Sequence, residues 1–311
     1  MDTRALPLAA YRSAVSLDEP YRPAAAPAAA GEPSDLARRA LRLLAQDPAV
    51  ARAGLRPEDA DERGTARALP LLRAVLTIRE PGPLPAQTVE ILDALLTGER
   101  QHRQITKAVK LPSIAAQFPE TPYRAAGQTA LWRGDITGLA ADAVVNAANR
   151  ALLGCFVPEH PCIDNALHSA AGPALREDCH TIMALQGHDE PTGTAKITRG
   201  YHLPAAYVLH TVGPIVNGLP GPDHEVQLSA CYRACLELAA EIDTIRTVAF
   251  CAISTGMFGY PKPAAARLAL QTVADWLETH PGRLDRVVFN VYGDDDHAAY
   301  VRALSEGDPA P

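Results

Sequence analysis

The first 154 residues have no cysteine: all six, Cys155, Cys162, Cys179, Cys231, Cys235 and Cys251, lie beyond residue 150. For 311 residues that is too few for a disulfide framework, so a reducing compartment is expected. No apolar run is long enough to span a bilayer. The amino terminus, Met1-Asp2-Thr3-Arg4, is not a basic region leading into an apolar core, so no signal peptide is expected and the cytoplasm is the default location. No basic run interrupts a net charge of -7. Nucleic acid and acidic membrane surfaces are therefore disfavoured as partners. No internal repeat is visible.

The length suggests about two domains. The first thirty or so residues carry Pro20, Pro23, Pro27 and an alanine run, and read as a loose arm. Ser34-Asp35 looks like a helix start, with Leu36, Ala40, Leu43 and Leu44 on one face. Leu71, Leu72, Val75, Leu76 and Ile78 predict a second helix. Pro81-Gly82-Pro83 breaks it, and Val89, Leu92, Leu95 and Leu96 predict a third. Residues 1–122 thus read as an all-helical packing unit, and 123–311 as a second domain. There, strands near 129–132, 143–146, 194–198, 207–212, 247–254 and 286–292 alternate with helices, the pattern of an α/β layered domain. Val248 to Ile253 is apolar on both faces, as a central strand is.

The most informative stretch is Cys155-Phe156-Val157-Pro158-Glu159-His160-Pro161-Cys162. Two thiols and an imidazole at this spacing suit a zinc ion, and three ligands leave a position open, as a catalytic site requires. The cluster follows Val144-Val145-Asn146-Ala147-Ala148-Asn149, at the carboxyl end of a strand, where open α/β sheets build their sites. Three more loops sit at strand ends: Arg133 to Thr137, His210 to Pro214, and Ser254-Thr255-Gly256-Met257-Phe258-Gly259-Tyr260-Pro261. The last has glycines before a helix and suits a diphosphate. Asp164 can be read as a helix N-cap or as a reacting group. His168, four residues on, faces the same side of that helix and could pair with Asp164, but reads more readily as a satisfied core histidine, and the remaining cysteines read as core. Asp294-Asp295-Asp296-His297 reads as a helix start, and Gly187 to Glu190 as a solvated loop.

Taken together, Gly-Asp-Ile-Thr, Val-Val-Asn-Ala-Ala-Asn, Ala170-Ala171-Gly172-Pro173, His-Thr-Val-Gly-Pro and Ser-Thr-Gly-x-Phe-Gly-Tyr-Pro resemble the macrodomain family over roughly residues 127–306. The segment from Gly154 to Asn165 resembles its zinc-containing branch of protein-ADP-ribose hydrolases. The resemblance implies a three-layer α/β/α sandwich with a mixed central sheet, preceded by a small helical domain. It implies that Asp135 accepts a hydrogen bond from the adenine amino group, beside a backbone donor at Ile136. Asn149 would reach the distal ribose, and Cys155, His160 and Cys162 would hold Zn2+. Asp164, with Ile163 beside it on the substrate side, falls where metal-free relatives place their catalytic aspartate, and Asn149 joins it. Ser254, Thr255 and Gly256 would cradle the diphosphate, Phe258 would face the distal ribose, and Tyr292 would stack on adenine. Met257 departs from the branch, where a charged residue is common. The activity implied is removal of ADP-ribose from modified proteins, with ADP-ribose as product. A non-catalytic reader and an esterase acting on acylated ADP-ribose would use the same pocket.

Overall fold

A computed structural model describes residues 4–23, 31–52, 54 and 65–306. The helices run α1 Leu8–Tyr11, α2 Pro33–Leu43, α3 Pro48–Arg52, α4 Thr65–Ile78, α5 Ala86–His102, α6 Ile114–Gln117, α7 Ile163–Ala171, α8 Pro173–Gln186, α9 Pro222–Ala240, α10 Lys262–Thr279 and α11 Asp294–Glu306. The strands are β1 Thr106–Lys107, β2 Thr129–Arg133, β3 Leu139–Ala140, β4 Ala143–Ala147, β5 Ala195–Arg199, β6 Tyr207–Thr211, β7 Thr247–Phe250 and β8 Arg286–Val291. Among the described residues no helix is long and apolar enough to cross a membrane.

Six strands form one sheet in the order β2-β8-β7-β4-β6-β5. All neighbours are parallel except β5 and β6, so the sheet is mixed. Central β7 is buried along its whole length, the consequence of an apolar run covered on both faces. Helices cover both faces and complete a three-layer sandwich: α7 and α8 adjoin each other, and α9, α10 and α11 pack in series. The acidic run at Asp294 starts α11, where carboxylates meet the positive end of the helix.

The strand expected to reach residue 254 ends at Phe250, because Cys251, Ala252 and Ser254 turn away to line a cavity. The Gly187–Glu190 stretch is not wholly solvated. Glu190 is 1% exposed, and both its carboxylate oxygens lie 2.7 Å from the buried Lys196 ammonium.

The helical unit has its own apolar core, which includes Leu36, Ala40, Leu72, Val75, Leu92 and Leu95. The segments on either side of it belong to the main core instead: Leu8, Tyr11, Val15 and Leu17 before it, Ala108 and Ile114 after it. A short parallel ladder also pairs β1, within the stretch read as all-helical, with β3. The expected loose arm is thus anchored as far as Tyr21, whose hydroxyl donates to Asp93 Oδ1 at 2.8 Å, while residues 24–30 lie outside the described residues. The reason is visible at the sheet edge. Among the described residues no strand neighbours the outer side of β5, and the Tyr11 hydroxyl, fully buried, accepts the Ile197 N–H at 3.0 Å. Covering an open edge in this way removes a template for unwanted pairing.

Tyr11→Phe should therefore leave the Ile197 N–H unpaired and lower stability by about 1–2 kcal/mol in denaturant titrations. A loose arm would give no change.

Candidate active site

β4 ends at Ala147, and the chain continues through Asn149 into the cysteine-bearing loop before α7 begins at Ile163. Cys155 Sγ lies 3.5 Å from His160 Nδ1, and the ligand atoms of Cys155, His160 and Cys162 all lie within 4.8 Å of one another. Ligands of one four-coordinate ion with bonds of about 2.0–2.3 Å fit within that span. Burial pushes the Cys162 thiol up to about 11, while the Asn165 N–H pulls it down. A metal bound here must displace that proton, so its affinity rises with pH.

Cys162, not Asp164, caps α7: its Sγ accepts the Asn165 N–H at 3.4 Å. The N-cap reading of Asp164 is corrected accordingly. Asp164 is the second helical residue, 5% exposed, with its carboxylate turned towards β4. Oδ1 accepts the Asn146 amide at 2.8 Å, and Asn149 Nδ2 lies 3.5 Å from Oδ2 while donating to Gly154 O at 3.0 Å. Burial raises the Asp164 pKa to about 6, against the pull of the Asn146 amide and the Arg176 charge. His168 Nε2 lies 3.5 Å from Oδ1, yet neither ring nitrogen forms a hydrogen bond. His168 is thus buried but not the satisfied core histidine that the pattern suggested. Burial first, then His210 and Arg176, hold it neutral.

The loop after β7 closes the opposite wall. Ser254 has φ of 64°, is 5% exposed, and its Oγ has no hydrogen-bond partner. The Val216 N–H donates to Phe258 O at 2.7 Å, joining this loop to the one after β6. A Cβ on Gly213 would come within 2.0 Å of Ser254 Oγ, so only glycine permits the approach.

Between these walls lies a cavity of about 500 Å3. Cys155, His160 and Cys162 line it together with Asn149, Ile163, Asp164, Ser254, Thr255, Gly256, Met257, Phe258 and Tyr292. Asp135 and Ile136 do not. Asp135 is exposed, and its Oδ1 accepts Thr137 N and Oγ1 at 2.9 and 2.7 Å, while Ile136 is buried. Their loop is held beside the Tyr292 edge, where Gly134 N donates to Val291 O at 3.0 Å and Asn290 Nδ2 donates to Gly134 O at 2.9 Å.

The family model described as "Macro domain" matches residues 145–269. A "Protein-ADP-ribose hydrolase" of Treponema medium is 41% identical over 249 residues, covering 80% of this chain and 90% of that protein. One of Staphylococcus aureus is 40% identical, covering 76% and 84%. The crystal structure of the Trypanosoma brucei macrodomain in complex with ADP-ribose has a TM-score of 0.55 at 31% identity, covering 74% of this chain and 94% of that one. The chain belongs to the macrodomain family. Its His/Cys cluster can hold a metal ion on geometric grounds.

This macrodomain also carries cleft residues that sequence reasoning passed over. Asn146 stands in the Val-Val-Asn-Ala-Ala-Asn motif, where the sequence alone assigns it no role. Its burial at the carboxyl end of β4 is what brings it to Asp164. Phe156, Asn290 and Asp296 line the cavity as well. Nothing in the local sequence marks Asn290, which follows the apolar run Val287-Val288-Phe289 in β8.

Asp164 binds a proton more readily folded than unfolded. Its cost is therefore absent below about pH 4 and grows as pH rises to about 6. In chelator-treated protein, Asp164→Asn should gain stability over the parent on the order of 2 kcal/mol at pH 8, and nothing at pH 4. Equal melting of the two proteins at pH 8 would contradict this burial cost.

Proposed function

We propose that this macrodomain hydrolyses the glycosidic link between the distal ribose of ADP-ribose and a protein side chain, with ADP-ribosylated proteins as substrates and ADP-ribose as product. One observation carries the reading: the buried Asp164 carboxylate, fixed by Asn146, faces the same cavity as the Cys155, His160 and Cys162 ligand atoms. A module that only bound ADP-ribose would need neither. The names of the relatives and the ligand of the Trypanosoma macrodomain support the choice.

Cys155, His160 and Cys162 would hold Zn2+, since two thiolates and an imidazole suit that ion. Bound there, zinc supplies a Lewis acidity moderated by the thiolates, suited to polarising ribose hydroxyls. This chain belongs, in this reading, to the zinc-containing branch of the family. Its free thiols favour the cytoplasm.

The rest of the work falls to the chain. Ser254 Oγ, already buried without a partner, donates to the diphosphate beside the Thr255 and Gly256 N–H groups. Tyr292, 80% exposed, stacks on adenine, while Asp135 accepts the adenine amino hydrogen and the Ile136 N–H donates. Phe258 and Asn149 hold the distal ribose, with Ile163 beneath it. Met257, 80% exposed at the mouth, meets the protein side of the link. Asp164 orients a water and takes its proton as the oxygen attacks C1 of the ribose. The bond from C1 to the side chain breaks, and the proton taken up by Asp164 passes to the departing side chain, which restores the carboxylate.

Purified protein should release ADP-ribose from modified protein, and chelator should stop the release. Asp164→Ala should cut turnover by about 100-fold or more. Binding without release would leave a reader, and turnover confined to acylated ADP-ribose would leave an esterase.

Gly256 offers a sharper test of the diphosphate wall. A Cβ there would meet nothing within 4 Å, and its φ is not positive, so the fold does not require glycine at this position. Gly256→Val should melt like the parent yet bind ADP-ribose more weakly by about 1–3 kcal/mol in calorimetry. Wild-type affinity would move the diphosphate elsewhere.

A further inference from the structure

Arg176, on α8, is 7% exposed and, among the described residues, makes no hydrogen bond to a carboxylate. Its partners are three backbone carbonyls on two separate parts of the molecule. NH1 donates to Leu76 O and Arg79 O, both at 2.8 Å, at the carboxyl end of α4. Nε donates to Leu153 O at 2.7 Å, in the loop that carries the cysteine–histidine cluster. The guanidinium also lies 4.7 Å from the centre of the Phe156 ring, which lines the cavity.

Leu76 O is one of the end-of-helix carbonyls that α4 cannot satisfy internally. A residue serving only to cap α4 would not need to reach Leu153. A residue serving only the loop would not need the helical unit. One planar fork does both, so neither part can shift without breaking bonds to the other.

The acceptor side is itself held. The Arg79 side chain donates to Asp47 Oδ2 at 2.8 Å and to the carbonyls of Glu80, Gly82 and Pro83 at 3.3, 2.9 and 3.1 Å. The loop side is equally constrained. Gly154 has φ of 85°, and a Cβ there would come 3.0 Å from the His168 ring. A displacement of Leu153 is thus passed directly to Gly154, to the Asn149 amide bonded to its carbonyl, and to Cys155.

We propose that Arg176 is a positioning residue through which the helical unit sets the shape of the metal-ligand loop. The unit contributes no reacting group, but the loop keeps its ligand geometry only while α4 holds the guanidinium. The inference rests on the metal-dependent reading above, and it deepens that reading by giving the helical unit a task.

Full-length parent, Arg176→Lys, Arg176→Met and Arg79→Ala decide it by two measurements: zinc affinity by chelator competition, and amide hydrogen exchange of residues 153–162 without metal. Arg176→Met and Arg176→Lys should bind zinc about 10–100-fold more weakly, the scale for losing an outer-shell partner of a metal ligand. Lysine should fail because it keeps the charge but not the fork. The 153–162 amides should exchange about tenfold faster or more in both. Arg79→Ala leaves Arg176 and the ligand loop unaltered, removes the bond to Asp47 and a 3.8 Å ion pair to Glu177 on α8, and should speed the same amides, while those of β4 and β7 keep parental rates. Parental exchange of 153–162 in either Arg176 variant, or in Arg79→Ala, overturns the proposal. Should Arg176→Met fail to fold, the other two variants carry the decision. A parent protein that binds no zinc would refute the metal reading, and the exchange comparison would still decide the coupling.

Discussion

The hydrogen bond from Asn146 to Asp164 is the constraint on which the rest of the site depends. It joins the carboxyl end of a central strand to the first turn of α7 across a loop of fifteen residues, 148–162. With both ends pinned, that loop must fold back over the sheet, and its thiols and imidazole converge on one point. The same bond keeps a carboxylate in a place where water barely reaches. The protein accepts a buried charge there because the Asn146 amide compensates part of it. A carboxylate held in this way keeps its proton to a higher pH than an exposed one.

The remaining layers serve that arrangement by closing its open sides. The loop after β7 approaches the loop after β6 so tightly that Gly213 cannot carry a side chain, and Ser254 is held in a conformation that few non-glycine residues adopt. On the far side, the helical unit lies against α7 and α8, and Arg176 bridges it to the ligand loop. At the sheet edge the amino-terminal segment covers β5. A chain that looks like two consecutive units is interleaved in space, with one small core set between segments that belong to the large one.

Much of this was legible in the sequence, for definite reasons. Strand and helix periodicity fixed the layered class because burial on both faces leaves a continuous apolar run, as at Val248 to Phe250. The cysteine–histidine cluster was legible because its members are close in sequence, so a single loop brings them together. Ser254 to Gly256 could be picked out only together with the other strand-end loops, since a glycine-bearing turn before a helix is as often a plain connection. What stayed hidden is long-range. The amino-terminal segment looked loose because its proline and alanine content carries no periodic signal, whereas its anchoring comes from Tyr11 meeting Ile197. Asp164 was open to two readings, since a helix start suits an N-cap as well as a reacting group. Only the observed turn shows that Cys162 takes the cap and frees Asp164 to face the cavity.

By itself, then, the sequence determined the local chemistry: which residues can ligate, which turn can accept an anion, and which runs must be buried. Those properties follow from residue type and near-neighbour spacing. The tertiary structure alone decided which of these groups meet. It brought Asn146 to Asp164, left His168 buried without a hydrogen bond, kept Asp135 off the cavity wall, and tied Leu76 and Arg79 to Leu153 through one guanidinium. Such pairings depend on strand order and helix docking. Those are set by the whole core and leave no mark in any short stretch of the chain.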